Sequence, residues 1–332
     1  MSTVSTVSTA RSQGSAVDEG VVTFRAMATD VTLRVLGPND TAAAALEAAR
    51  EVFVRVEQAC TRFNPDSPLM RANSEPRQWH VVPVECFDAL VAARDAHVLT
   101  DGLFDPRVLQ TLSALGYDKT LPFAQGSVSV PGATAPSGRT TRRRGWKPRF
   151  DEGRSAVLLG RDPIDLGGIG KGLACWWAVD RLRGAGQAAL VEAGGDLQTL
   201  GGGPEGDGWR VGVEDPRGGP EPVAVLAVND TACATSSTRI RRWRAGDADV
   251  HHLIDPRTGA PAHSGLVAVT VIADDAATAE VWSKVLFVTG RGKIRARADE
   301  AGLAALWVDH DGVVGTSRAM KPHLVWSATP GR

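Results

Sequence analysis

The sequence predicts an α+β fold, with mixed and antiparallel sheets packed against helices in one compact unit. Three observations carry that reading. β-rich runs recur along most of the chain, amphipathic helical stretches fall between some of them, and the two alternate with no regular βαβ period. The 332 residues are 43% hydrophobic, which is ample for a large core, and there is no internal repeat.

The elements follow in order. Val21 to Leu36 contains two β-rich runs around Met27-Ala28-Thr29-Asp30, a hairpin or a kinked strand. Thr41 to Cys60 places Ala, Leu, Val and Phe at helical spacing with Glu and Arg opposite, an amphipathic helix. Phe87 to Leu99 is a second helix, stopped by Asp101-Gly102. Ala156 to Leu159 is a short strand leading to the glycine-rich stretch Asp165 to Gly172, and a helix over Leu173 to Arg183 ends at Gly184. Strands follow at Ala188–Glu192, Trp209–Val213, Val223–Val228 and Ala268–Ile272. Asp274-Asp275 caps a helix running to about Val288 and ended by Gly290. A strand over Leu303–Val308 and a turn at Asp311-Gly312 close the fold.

Composition narrows the function classes. A formal net charge of -1 gives no whole-protein field toward nucleic acid or anionic lipid. The local exception, Arg139, Arg142, Arg143, Arg144, Lys147 and Arg149, lies in a Pro/Gly/Ser-rich loop at about 131–150 and reads as solvated. Residues 1–20 read as a disordered tail without the features of a secretory signal, followed by one domain over 21–328. No apolar run approaches the roughly 18 residues of a membrane span. Cys60, Cys86, Cys175 and Cys233 form no C-x-x-C pair and read as reduced, buried thiols, so a cytoplasmic location is expected.

The most informative segment is Ile164-Asp165-Leu166-Gly167-Gly168-Ile169-Gly170-Lys171-Gly172. A strand feeds a glycine turn that opens a helix, where free N–H groups attract phosphate and the Lys171 ammonium can reach the same group. The plainer alternative is a tight turn packed for geometry, with Lys171 solvated. It is not a P-loop, because Asp165 and Gly172 stand where that motif needs Gly and Ser or Thr. Gly201, Gly203 and Gly206 match G-x-G-x-x-G, but Pro204 argues for a hairpin loop instead of a helix start. His251-His252-Leu253-Ile254-Asp255-Pro256-Arg257-Thr258-Gly259 offers a base and a phosphate clamp, or only a polar turn. Adjacent histidines on a strand face opposite ways, so at most one belongs to a site. Weaker features are Ala193-Gly194-Gly195-Asp196, the hydroxyl cluster Ala234-Thr235-Ser236-Ser237, and Gly102-Leu103-Phe104-Asp105-Pro106, whose proline biases Asp105 to an extended backbone.

Taken in order, these segments resemble the FAD:protein FMN transferase (ApbE) family. Met27-Ala28-Thr29 is similar to its M-G-T, and Thr61 to Ser67 to its S-R-F-x-P-x-S. Gly102 to Pro106 is similar to G-x-F-D-P, Asp165 to Gly172 to D-L-G-G-I-A-K-G, Ala193 to Asp196 to A-G-G-D, and His252 to Gly259 to H-I-I-D-P-R-T-G. The resemblance implies an ApbE-like, T-fold-like architecture and a reaction in which a Thr or Ser hydroxyl of an acceptor flavoprotein attacks the FMN-side phosphorus of FAD and AMP leaves. It also implies that Met27, Phe104, Asp105, Pro106, Asp165, Lys171 and Ile254 line the FAD site, and that His252 is the general base, which a hydroxyl nucleophile needs. An FAD pyrophosphatase and a non-catalytic flavin-binding protein are the alternatives.

The sequence departs from the family at its Mg²⁺ site. The resemblance implies ligands from a glycine-turn carbonyl, here Gly168, and from an Asp and a Thr four residues apart. Here Glu280 stands for the Asp and Lys284 for the Thr, while the hydroxyl of Ser283 is turned about 100° away along a helix. The expectation is that Lys284 takes the cation's place. Gly170, Ala28 and Ser237 are further departures, from Ala, Gly and Gly.

Overall fold

The structure, a computed structural model, describes residues 18–123, 128–133 and 145–328. Most of the expected tail over 1–20, and Arg139 to Arg144 of the basic loop, therefore lie outside the described residues. The chain divides into two compact units: residues up to Val54 with Lys171–Ser236 and Gly265 onward, and Arg55–Gly170 with Ser237–Ser264. This refines the expectation of one unit. The chain crosses between the two four times, inside the helix Ala42–Cys60, at the start of the helix Gly170–Arg181, at the end of the strand Ala232–Ser237 and between Ser264 and Gly265, so three of the four crossings fall within elements instead of linkers.

The first unit is built on an eight-stranded sheet. Its order is Glu19–Ala26, Thr29–Leu36, Ala188–Ala193, Asp196–Leu200, Ala232–Ser237, Leu266–Ala273, Ala304–Asp309 and Val314–Thr316. The first four strands are two antiparallel hairpins laid side by side, with Thr29–Leu36 paired to Ala188–Ala193. The Met27-Ala28 stretch is thus a hairpin turn, and the two-residue turn Gly194-Gly195 lies next to it at the same end of the sheet. Asp196 opens a strand, Asp196–Leu200, that the sequence did not predict. A second, three-stranded sheet pairs Pro222–Val228 with Trp209–Glu214 and Leu324–Ser327. Val211, Val213, Leu226 and Val228 meet Leu197, Leu306, Val308 and Met320 in one buried cluster, where period-two apolar residues of both sheets interleave. The loop holding Gly201, Gly203 and Gly206 joins the two sheets; it is neither a hairpin loop nor a helix start. The helix Ala276–Thr289 has Asp275 as its N-cap, accepting from the Thr278 N–H at 2.8 Å, and Gly290 just past its end, as the sequence predicts.

The second unit is smaller-stranded. The helices Pro68–Ser74, Val84–Leu99 and Leu109–Ala114 accompany three short sheets. Its core joins Leu112, Leu115, Tyr117, Trp243, Val250 and Ile254, with the Tyr117 and Trp243 rings 5.3 Å apart. The helix expected from Leu173 begins at Gly170, so Lys171 lies in its first turn. Helices, antiparallel hairpins and mixed sheets together make the α+β architecture that the sequence predicts.

Candidate active site

In the first unit, four charges converge, three of them buried. The Lys171 ammonium donates to the carboxylates of Asp196 and Glu280, the latter at 2.7 Å. Lys284 donates to the same Glu280 oxygen at 3.1 Å and to the Glu280 carbonyl, one turn back along its own helix, at 3.3 Å. The second Glu280 oxygen accepts the Gly172 N–H at 2.9 Å. Glu280 is fully buried, and Asp196 and Lys171 nearly so. Two ammoniums and two carboxylates cancel, which is the condition for burying any of them. Burial pushes the Glu280 carboxyl up, but Lys171, Lys284 and the Gly172 N–H outweigh it and hold it near 2. Burial pushes Asp196 up to about 6, with Lys171 only partly offsetting it and Glu280 adding to the rise. It also pulls the Lys284 ammonium below its ordinary value against the attraction of Glu280.

Gly172 therefore does not serve as phosphate-facing backbone. Its N–H is committed to Glu280, and a Cβ there would overlap the Ala276 carbonyl, so the glycine is needed for close packing against the helix Ala276–Thr289. Ser283 is also committed: its buried hydroxyl donates to the Glu280 carbonyl at 2.9 Å and meets the Ser236 hydroxyl at 2.7 Å. At the sheet end, Met27 and Ala28 both hold left-handed backbones, with φ of 52° and 60°. Gly194, with φ of 57°, leaves room for the Thr29 hydroxyl.

In the second unit, Asp165 anchors the glycine turn. Its carboxylate accepts the Gly167 N–H at 2.7 Å and pairs with Arg62 at 3.2 Å, and its own N–H donates to the Pro106 carbonyl at 2.7 Å. Arg62 is buried over the rings of Phe63 and Tyr117, at 4.3 and 4.4 Å. Three predicted segments, those around Arg62, Pro106 and Asp165, are thus joined directly. Phe104 is held by Thr100, which accepts its N–H at 3.0 Å, and by His97, whose Nδ1 donates to its carbonyl at 2.9 Å. The other ring nitrogen of His97 accepts the Trp146 N–H at 3.2 Å, so this buried histidine is a fastening.

Asp105 accepts both the backbone N–H and the guanidinium of Arg107, and despite burial it is held below its ordinary pKa. Asp255 with Arg257, and Asp215 with Arg217, repeat the same arrangement. This local device of Asp-Pro-Arg, written three times in the sequence, was missed by the sequence reading; the repeated tripeptide was the signal available.

The two histidines differ. His251 ends the strand Ala248–His251, and both ring nitrogens go to backbone: Nε2 to the Ala262 carbonyl at 3.1 Å, Nδ1 from the Leu253 N–H at 3.2 Å. His252 lies just beyond the strand, half-buried, with Nδ1 against the Arg241 carbonyl at 3.2 Å. A carbonyl only accepts, so Nδ1 carries a proton, and Nε2 is the nitrogen that exchanges one. Ile254 is largely core, packed in the cluster of Trp243 and Tyr117.

The ApbE family model matches residues 27–307. The chain belongs to the ApbE family. An FAD:protein FMN transferase of Klebsiella pneumoniae (strain 342) is 28% identical over 310 residues, covering 88% of this chain and 85% of its own length. One of Chlamydia trachomatis is 30% identical, covering 71% of this chain and 72% of its own. The crystal structure of the ApbE protein from Thermotoga maritima superposes with a TM-score of 0.76 at 28% identity, over 92% of this chain and 99% of that one.

The divalent cation site that the ApbE resemblance implies does not fit the residues present. Mg²⁺ needs oxygen donors with free lone pairs in octahedral array. Both Glu280 oxygens are occupied, two ammoniums stand within 3.1 Å of one of them, and the Ser283 hydroxyl is used in the core. Among the described residues, no group of three or more His, Cys, Asp or Glu side chains can hold a metal ion. No helix among them is long and apolar enough to cross a membrane, and all four cysteines are free and buried.

Proposed function

We propose that this chain moves FMN from FAD onto a Thr or Ser hydroxyl of an acceptor flavoprotein, releasing AMP. Membership of the ApbE family across both units carries the reading. In it, the acceptor oxygen bonds to the FMN-side phosphorus, the phosphorus–oxygen bond to the AMP half breaks, and AMP leaves with the electron pair. His252 takes the hydroxyl proton on Nε2; the proton held on Nδ1 by the Arg241 carbonyl supports that role. Met27, the Phe104–Pro106 segment, Asp165, Lys171 and Ile254 are assigned to the FAD site. The Asp165 and Asp105 carboxylates act there by fixing the backbone of their turns. Phosphoryl transfer asks the protein mainly for positioning and charge neutralisation, and such pinned turns serve the positioning. A cytoplasmic site of action belongs to the same proposal and is supported by the four free thiols.

The test is to incubate the pure chain with FAD, with and without a co-expressed candidate acceptor. The expected result is one FMN added to the acceptor's mass and AMP only when the acceptor is present. AMP without acceptor would make it a pyrophosphatase, and FAD binding with no AMP a binding protein; either result overturns transfer.

A further inference from the structure

The i, i+4 spacing of Glu280 and Lys284 is what an ordinary surface pair on a helix shows. The structure removes that reading, because Glu280 is completely buried and each of its oxygens already has a partner, Lys171 on one and the Gly172 N–H on the other. A carboxylate in that state does not need a second ammonium for its own satisfaction. The Lys284 side chain is nevertheless held over its own helix turn by both the carbonyl and the carboxylate of Glu280. It is also the more exposed of the two lysines, at 21% of side-chain surface against 11% for Lys171. It is thus the more solvent-exposed positive charge of the cluster.

We propose that the Lys284 ammonium is a built-in replacement for a divalent cation, presenting fixed positive charge to the phosphates of a dinucleotide, so that ligand binding here is independent of metal. The phosphate part rests on the flavin reading above; the exclusion of metal rests on the cluster alone. With both ammoniums in place the cluster is neutral, and a divalent ion at Glu280 would add two charges beside two others in a buried site. The ion would enter only if Lys284 left. Thr at this position would vacate the space and supply a hydroxyl oxygen on the same turn as the Glu280 carboxylate.

Two measurements test this on the full chain. In the first, Mn²⁺ is titrated into FAD-free protein and followed by electron paramagnetic resonance, for wild type and Lys284→Thr. Wild type should bind no Mn²⁺ and the variant one equivalent. In the second, FAD affinity is measured with EDTA and with Mg²⁺. Wild type should agree within about twofold, whereas Lys284→Thr should gain about tenfold or more from Mg²⁺, the range of one charge-assisted contact. One tightly bound Mn²⁺ in wild type, or a tenfold gain from Mg²⁺ there, overturns the proposal. So does a folded Lys284→Thr that binds no Mn²⁺. Should that variant not fold, the wild-type arms decide. Failure of wild type to bind FAD under any condition would sink the flavin reading, while the Mn²⁺ titration would still judge the exclusion of metal.

Discussion

Replacing Lys171 by Met keeps an unbranched chain of similar length and deletes the cation shared by Asp196 and Glu280. Glu280 keeps Lys284 and the Gly172 N–H, so its loss is partial. Asp196 loses its hydrogen-bonded ammonium while remaining 2% exposed. Breaking a buried pair by removing one partner costs about 3–5 kcal/mol, because a charge is left uncompensated. Protonation limits that cost. Asp196 already sits near 6, raised above the usual 3.8, and losing Lys171 raises it further. A folded-state pKa above the unfolded one contributes stability that is complete below the unfolded pKa and is lost as pH rises through the folded pKa. The variant should therefore recover stability on acidification, by at most about 1.4 kcal/mol for each pH unit over which the folded chain alone holds the proton. Guanidinium denaturation of both proteins at pH 5.5 and pH 8, without FAD, measures it. The expected loss is about 3–5 kcal/mol at pH 8 and clearly smaller at pH 5.5. A loss below about 1 kcal/mol at pH 8, or an equal loss at both values, would refute the shared-cation account. In the same variant, FAD affinity should fall by about 1.5–3 kcal/mol if the ammonium also faces phosphate.

Three further outcomes are expected. His252→Ala should lower FMN transfer by roughly 10²-fold with little change in FAD affinity, whereas His251→Ala should instead cost stability, because its ring bridges Ala262 and Leu253; steady-state rates set against melting curves separate the two. Ala28→Gly should stabilise the chain by about 0.5–1 kcal/mol, since φ of 60° strains an alanine and not a glycine; an unchanged or lower denaturation midpoint contradicts it. Glu192 is pushed up to about 7 by burial and the nearby Glu214, against Arg34, so its folded form costs stability as pH rises from 4.5 through 7. Glu192→Gln should accordingly gain up to about 3 kcal/mol at pH 8 and almost nothing at pH 4.5, and a gain independent of pH in denaturation curves would count against that assignment.

The features legible in the sequence are those fixed by neighbours along the chain. The hairpin turn at Met27-Ala28 and the ends of the helix Ala276–Thr289, marked by Asp275 and Gly290, follow from local backbone preferences and short-range hydrogen bonds. The order of the six motif segments, from Met27 to Gly259, was likewise enough to place the chain in its family. What joins those segments was not legible. Lys171 reads as a phosphate-seeking lysine after a glycine turn, yet its partners lie 25 and 109 residues away. Gly172 reads as room for a ligand, and its space is taken by the Ala276–Thr289 helix. His97 carries no motif at all, and it fastens Phe104 to Trp146. Glu280 and Lys284 have the i, i+4 spacing of a helix pair, and the resemblance puts them at the cation site; that they form one charge cluster with Lys171 and Asp196 shows only in the structure. Local conformation depends on interactions a few residues long, so sequence alone determined it here. Burial and charge pairing depend on which distant segments share one desolvated space, and that was decided only when the strands and helices packed.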